Sequence, residues 1–355
     1  MSPAAWECLL VAEMRVQTLL AGVRRLGDPI DSGARQAVLG ELGAGSVDDH
    51  IAQFGGASHR ETITKRIGSF GTLGNMAQQN TAEPAIASMS RGGPDASWLD
   101  RLLQTDVPEY TDRNDIPDDL KQRVIKGLDA MGERAGFHER HARTALQAVA
   151  DIANPRILEI GAGHGRVSEQ ILALHATATV TASDLDPASV ANMAAGPLGS
   201  HPRARTQVID ATAIDAADAT YDLVVFALAF HHLPPETACR AIAEATRVAS
   251  RFLVIDLKRA SPLGILLTPI AMMPVSLVIV PPSSILPTMH DGIVSSLRAY
   301  SPSAFVALGK AADPQMDIEF LPPPPTRIGP QPMTAVFSRR PYAWPVVPTE
   351  EGTSK

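Results

Sequence analysis

Arg156 to Ile160 reads as a short apolar strand that carries one acid, Glu159, and runs directly into Gly161-Ala162-Gly163-His164-Gly165. Val167, Ile171 and Leu174 then recur at helical spacing, so strand, glycine turn and helix follow one another without a linker. A strand this apolar suits a parallel sheet covered on both faces, and the α/β class follows. The three glycines lack a Cβ where the chain turns sharply and approaches a ligand, while the new helix offers free N–H groups at its start. The unit therefore marks a site for a nucleotide-type ligand.

Spacing narrows the ligand. A dinucleotide turn of the Gly-x-Gly-x-x-Gly type wants Gly or Ala where this chain has Arg166, which places an NAD(P)-dependent oxidoreductase second. Thr179 to Ser183 reads as the next strand and ends at Asp184, 23 residues after Gly161, an offset suited to a carboxylate that accepts ribose hydroxyls. Asp186 before Pro187 reads as a helix cap. Thr206 to Ala211 makes a third strand closed by the acid Asp210 and the small Ala211. Tyr221 to Phe226 and Arg251 to Asp256 supply two more, and 316–321 with 333–338 an antiparallel pair.

In this order, Glu159, Gly161, Gly163, Gly165, Asp184 and Asp210 resemble the motifs of class I S-adenosylmethionine-dependent methyltransferases, over roughly residues 100–340. The resemblance implies a Rossmann-like, doubly wound, seven-stranded and mostly parallel sheet, with S-adenosyl-L-methionine as cofactor. It further implies that Glu159 positions the methionine part beside Gly161, Ala162, Gly163 and Gly165. Asp184 would hold ribose and Asp210 would face adenine, with Leu185, Ala211 and Ala227 alongside. The run Ala229-Phe230-His231-His232-Leu233-Pro234 resembles the family's loop after strand four. A neutral imidazole suits proton removal from an acceptor near neutral pH, which makes His232 the first candidate base and His231 the second.

Domain organisation follows from composition. Residues 1–95 are expected to be a largely disordered extension, 96–150 a helical lid, 151–340 the methyltransferase domain with an apolar insertion at 261–300, and 341–355 a flexible tail. Within the lid, Tyr110, His138 and His141 are candidates for contact with cofactor or substrate. Leu263 to Val280 carries no charged residue but is broken by Pro269 and Pro274. It reads first as the lining of a lipophilic acceptor pocket, second as a peripheral membrane contact. His290, Asp291, Arg298 and Tyr300 beyond it are candidates for orienting the substrate. A small lipophilic acceptor methylated on O or C is thus the favoured partner.

The net charge of −7 and the absence of a concentrated basic tract argue against nucleic acid. Two cysteines, Cys8 and Cys239, neither build a disulfide framework nor suggest a zinc cluster, and the expectation is a metal-free cytoplasmic enzyme. A catalytically silent cofactor-binding or membrane-associated scaffold is the non-enzyme alternative.

Overall fold

Alternation within buried strands sets the layers. In β1 (Arg156–Ile160), Ile157 points into one core while Leu158 and Ile160 point into the other, and in β4 (Tyr221–Ala227) Leu223 and Val225 face oppositely to Val224 and Phe226. Both faces must be covered by helices. The computed structural model describes residues 86–113, 115–265, 267, 285–322 and 332–339.

In chain order the described elements open with α1 (Trp98–Leu102), α2 (Asp118–Arg134) and α3 (Phe137–Gln147), followed by β1 and α4 (Arg166–Leu174). Next come β2 (Thr179–Asp184), α5 (Pro187–Ala195), α6 (Pro197–Ser200), β3 (Ala204–Val208) and β4. A 3₁₀ turn at Phe230–His232 leads into α7 (Pro235–Val248) and β5 (Ala249–Leu257). The chain closes with α8 (Ile285–Arg298), α9 (Pro302–Ala312), β6 (Asp317–Leu321) and β7 (Pro332–Ser338).

The sheet has seven strands in the order β3-β2-β1-β4-β5-β7-β6. All pairings are parallel except β5 with β7 and β6 with β7, as expected of a doubly wound sheet with a terminal antiparallel pair. Helices α3, α4 and α5 cover one face through Ala142, Ala145, Val167, Ile171, Val190 and Met193. Helices α7 and α9 cover the other through Ala238, Ile242, Ala245, Phe305 and Leu308. The strand order reverses between β1 and β4, and the crevice at their carboxyl ends is where such sheets bind ligands.

Caps fix the helix starts as the sequence leads one to expect. The Asp186 carboxylate accepts from Ala188 and Ser189 N–H ahead of Pro187, and Ser301 Oγ accepts from Ala304 N–H ahead of Pro302. The third strand, expected at 206–211, lies at 204–208 instead: Ile209 N–H still donates to Asp184 O, and beyond it the Asp210 side chain accepts from Thr212 N–H and starts a turn.

Packed structure begins before the expected boundary at residue 95. Ser90 and Arg91 are buried, and Arg91 Nη1 donates to the main-chain oxygens of His231 and Arg298, both at 2.7 Å, with its guanidinium over the Tyr300 ring. Arg91 was invisible as a core residue because an isolated arginine among small residues reads as solvated. The chain divides into two units at Gly71/Thr72, and Met1–Gly71 lies outside the described residues. Most of the apolar stretch 263–280 and all of the expected tail 341–355 do so too. Among the described residues no helix is long and apolar enough to cross a membrane.

Candidate functional site

Three positive-φ glycines shape the turn after β1: Gly161 at 64°, Gly163 at 56° and Gly165 at 74°. Two of them are also closed by packing. A Cβ on Gly161 would lie 2.7 Å from Phe226 Cε2, and one on Gly165 would lie 2.3 Å from Leu198 Cδ1. Gly163 differs, since its nearest neighbour would be Ile125 Cγ2 at 3.9 Å. At that distance a Cβ would make ordinary contact with α2, without the overlap found at the other two glycines. Gly165→Ala is expected to cost about 2–3 kcal/mol through left-handed strain and overpacking against Leu198. An unchanged midpoint in urea would count against that packing.

The turn is stitched to the end of β2. Ala162 N–H donates to Ser183 O at 2.9 Å, and Ser183 Oγ donates to Glu159 O at 2.7 Å. Asp184 accepts Gly163 N–H at Oδ2 and Asp186 N–H at Oδ1, both at 2.9 Å. Each carboxylate oxygen has two lone pairs, so one on each stays available to a ribose hydroxyl. Burial raises the Asp184 pKa despite those two bonds. Leu185 next to it is 66% exposed, an apolar side chain held at the carboxyl edge of the sheet. Asp210 is exposed and closes an Asx turn on Thr212, while Ala211 beside it is buried.

Glu159 lies elsewhere than its neighbours. It is buried, and its Oε2 accepts both the N–H and the hydroxyl of Ser168 in the first turn of α4. The side chain fixes the entry of α4 and so the shape of the turn; burial pushes its carboxyl up to about 7. Because the folded pKa exceeds the ordinary value, the stability it contributes is full below about pH 4.5 and is lost as pH rises through about 7. Glu159→Gln is expected to remove this component, about 3 kcal/mol as an upper figure. Melting curves from pH 4 to 8 should flatten in the variant, and curves parallel to those of the parent would refute the assignment.

Helix α2 crosses the turn. His164, the non-glycine residue inside it, pairs through Nδ1 with Asp129 and through Nε2 with Gln122 Oε1 at 3.0 Å, both on α2. Gln122 Oε1 also accepts from Asn192 on α5 at 3.0 Å. Of the other lid candidates, His141 is buried against Phe137, which pushes its pKa down to about 4, and His138 lies against Asp129 O, so neither faces the crevice chemistry. Tyr110 takes a different place: its N–H donates to Asp291 Oδ1 at 2.8 Å and its ring stands edge-on to His290.

On the acceptor side, β4 ends at Ala227, and Leu228 takes a positive φ of 56° that turns the chain into the 3₁₀ segment. That non-glycine strain aims both histidines the same way. His231 is buried, with Nδ1 at 2.7 Å from Asp256 Oδ1 and its N–H donating to Asp256 Oδ2. His232 is partly exposed, with Nδ1 at 2.7 Å from Asp112 Oδ1. Their Nε2 atoms lie 3.6 Å from Glu109 Oε1 and Oε2 respectively. Arg298 Nη1 donates to Asp112 Oδ2 at 2.6 Å and lies 3.8 Å from Glu109 Oε1. Burial pushes the Glu109 carboxyl up to about 7. Asp112 and Asp256 fall below the usual carboxylate range despite their burial, Asp112 through His232 and Arg298 and Asp256 through His231.

The structure thus brings His231, His232, Asp291, Arg298 and Tyr110 into one neighbourhood. Tyr300 serves the core instead, its hydroxyl donating to Leu233 O at 2.8 Å. Sequence reasoning missed Glu109, Asp112 and Asp256 as partners of the histidines. Asp256 alone left a signal, as an acid closing β5 in the manner of those that follow β1, β2 and β3.

Residues 157–251 match the family model described as a methyltransferase domain. The plantazolicin methyltransferase BpumL, solved in complex with S-adenosylhomocysteine, is 14% identical over 74% of this chain and all of its own, with a TM-score of 0.48. The YcgJ protein from Bacillus subtilis is 19% identical over 52% of this chain and 71% of its own, with a TM-score of 0.38. No curated protein matches the sequence.

Proposed function

We propose that this chain, which carries a methyltransferase domain match over residues 157–251, is a class I S-adenosylmethionine-dependent methyltransferase and methylates a small lipophilic acceptor on oxygen or carbon. The observation that carries the reading is the stitched edge of β1 and β2, where Asp184 accepts Gly163 N–H and keeps acceptor capacity beside the positive-φ glycine turn. S-adenosylmethionine supplies a methyl group already activated on a sulfonium. The protein then has to hold, orient and exclude water.

Each part of that task falls to residues of this chain. Gly161, Ala162, Gly163 and Gly165 present backbone to the methionine part, and Glu159 acts behind them as a positioning residue through Ser168. Asp184 takes the ribose hydroxyls, Leu185 covers the adenine face, and Asp210 with Ala211 borders its edge. Ala227 closes the floor toward the point of transfer. Helix α2, latched by His164, is the lid over the turn. His232, backed by His231, activates the acceptor through Nε2, since each Nδ1 is already committed to a carboxylate. The uncharged composition of 263–280, most of which lies outside the described residues, supports a lipophilic acceptor.

Calorimetry with S-adenosylhomocysteine and with NAD tests the cofactor assignment, and transfer of labelled methyl into a lipid-soluble extract tests the acceptor class. Heat with NAD and none with S-adenosylhomocysteine would overturn the first. Label confined to water-soluble or macromolecular material would overturn the second.

A further inference from the structure

We propose that Glu109, His231 and His232 form a binding site for a divalent transition-metal cation on the acceptor side of the fold. The sequence leads one to expect no metal, because it offers no cysteine cluster. The ligands come instead from two segments far apart in the chain that the fold brings together.

Geometry is the first support. One ligand atom from each residue lies within 4.8 Å of the others, and the two histidine-to-glutamate separations of 3.6 Å are close to the spacing of donors around one small ion. Both imidazoles present Nε2, and each holds its Nδ1 on a carboxylate, Asp256 behind His231 and Asp112 behind His232. A carboxylate behind the histidine is the arrangement that fixes tautomer and ring orientation in metal sites.

Buried polar atoms without a hydrogen-bond partner are the second support. Among the described residues these include Glu109 Oε1 and His231 Nε2, on side chains 3% and 4% exposed, and both point into the cluster. Asp291 Oδ2 and Arg298 Nε, on the neighbouring α8, belong to the same set. Such atoms are costly unless something binds them.

Charge is the third. Four carboxyl groups, Glu109, Asp112, Asp256 and Asp291, surround the cluster against only two guanidiniums, Arg91 and Arg298. That donor excess favours a cation. Two imidazoles and a carboxylate suit Zn²⁺, Co²⁺ or Mn²⁺ better than Mg²⁺, which prefers oxygen donors. With three protein ligands, such a site keeps a position for an acceptor oxygen. With the ion bound, His232 Nε2 is a ligand rather than a base, so polarisation of that oxygen by the ion would replace proton removal by the imidazole. That last role rests on the methyltransferase reading; ion binding itself does not.

The test uses the full, untagged chain, treated with chelator and titrated with Zn²⁺, Mn²⁺ and Mg²⁺ without cofactor, followed by metal analysis after gel filtration. A single Zn²⁺ per chain is expected, with Mg²⁺ weaker by about 100-fold. Glu109→Gln and His232→Gln should each weaken Zn²⁺ binding at least about tenfold, and Asp112→Asn about 10-fold to 100-fold, whereas His201→Ala should not change it. Circular dichroism and S-adenosylhomocysteine titration of every variant establish that it is folded. Zn²⁺ binding absent from the parent, or unchanged in both Glu109→Gln and His232→Gln, would overturn the proposal, the histidines then carrying the balancing charge themselves. Intact S-adenosylhomocysteine binding in that case leaves the methyltransferase reading standing. Its loss in a folded parent chain that still binds Zn²⁺ sinks that reading alone.

Discussion

Asp184→Ala is expected to lower affinity for S-adenosylhomocysteine about 100-fold, or about 2.7 kcal/mol, and to abolish detectable methyl transfer. The carboxylate does two things at once. It holds the glycine turn by accepting Gly163 N–H, and in the proposed complex its remaining lone pairs take the ribose hydroxyls. Removing it leaves the Gly163 and Asp186 N–H groups without an acceptor inside a partly buried turn, so the turn relaxes before any ligand arrives. Asp184→Asn keeps one acceptor oxygen and the side-chain shape, and a smaller loss of about tenfold is expected for it. Calorimetry gives both values, and urea unfolding separates them from a general loss of stability. Equal affinity in parent and Asp184→Ala would remove Asp184 from the cofactor site.

The scaffold of that site could be read in the sequence because its signals are local. Strands β1, β2 and β4, the caps at Asp186 and Ser301 and the glycine turn each depend on residues within a few positions. The seven-stranded, mostly parallel sheet was implied by the family resemblance, and the handedness of parallel crossovers then distributes the helices over its two faces. Glu159 was legible as an acid at the end of β1 but not as a buried one. Its partner Ser168 sits in a helix whose rotation about its axis is decided by Val167 and Ile171 packing on the sheet.

The acceptor side was less legible because it is assembled from long-range pairs. His231 and His232 stand out in sequence, yet Glu109 and Asp112, on one turn 120 residues before His232, resemble ordinary surface acids, and Asp256 comes from β5. What turns Glu109 and Asp112 inward is the 86–112 segment. A Cβ on Gly92 would lie 1.8 Å from Asp100 Oδ2, so the glycine there is required by close packing rather than by a flexible linker.

Arg259 holds that segment in place, and Arg259→Leu is expected to destabilise the protein by about 3–5 kcal/mol. Its Nε donates to Asp100 Oδ1 at 2.7 Å, and its other nitrogens donate to the main-chain oxygens of Asp100, Leu103, Leu297 and Ala299. Both partners are buried, Arg259 7% and Asp100 8% exposed. The loss therefore comes mainly from leaving the Asp100 charge and four carbonyls unpaired, not from the attraction of the pair itself. If so, Asp100→Leu combined with Arg259→Leu should recover part of the loss, about 1–2 kcal/mol, in urea unfolding. The pair Arg113–Asp115, more exposed on both sides, should cost little when broken. A deficit for Arg259→Leu no larger than that would mean the 86–112 segment is not pinned at this point. Because the same segment delivers Glu109 and Asp112 to the histidines, Arg259→Leu should also weaken Zn²⁺ binding in chains that remain folded, although Arg259 touches neither histidine nor Glu109.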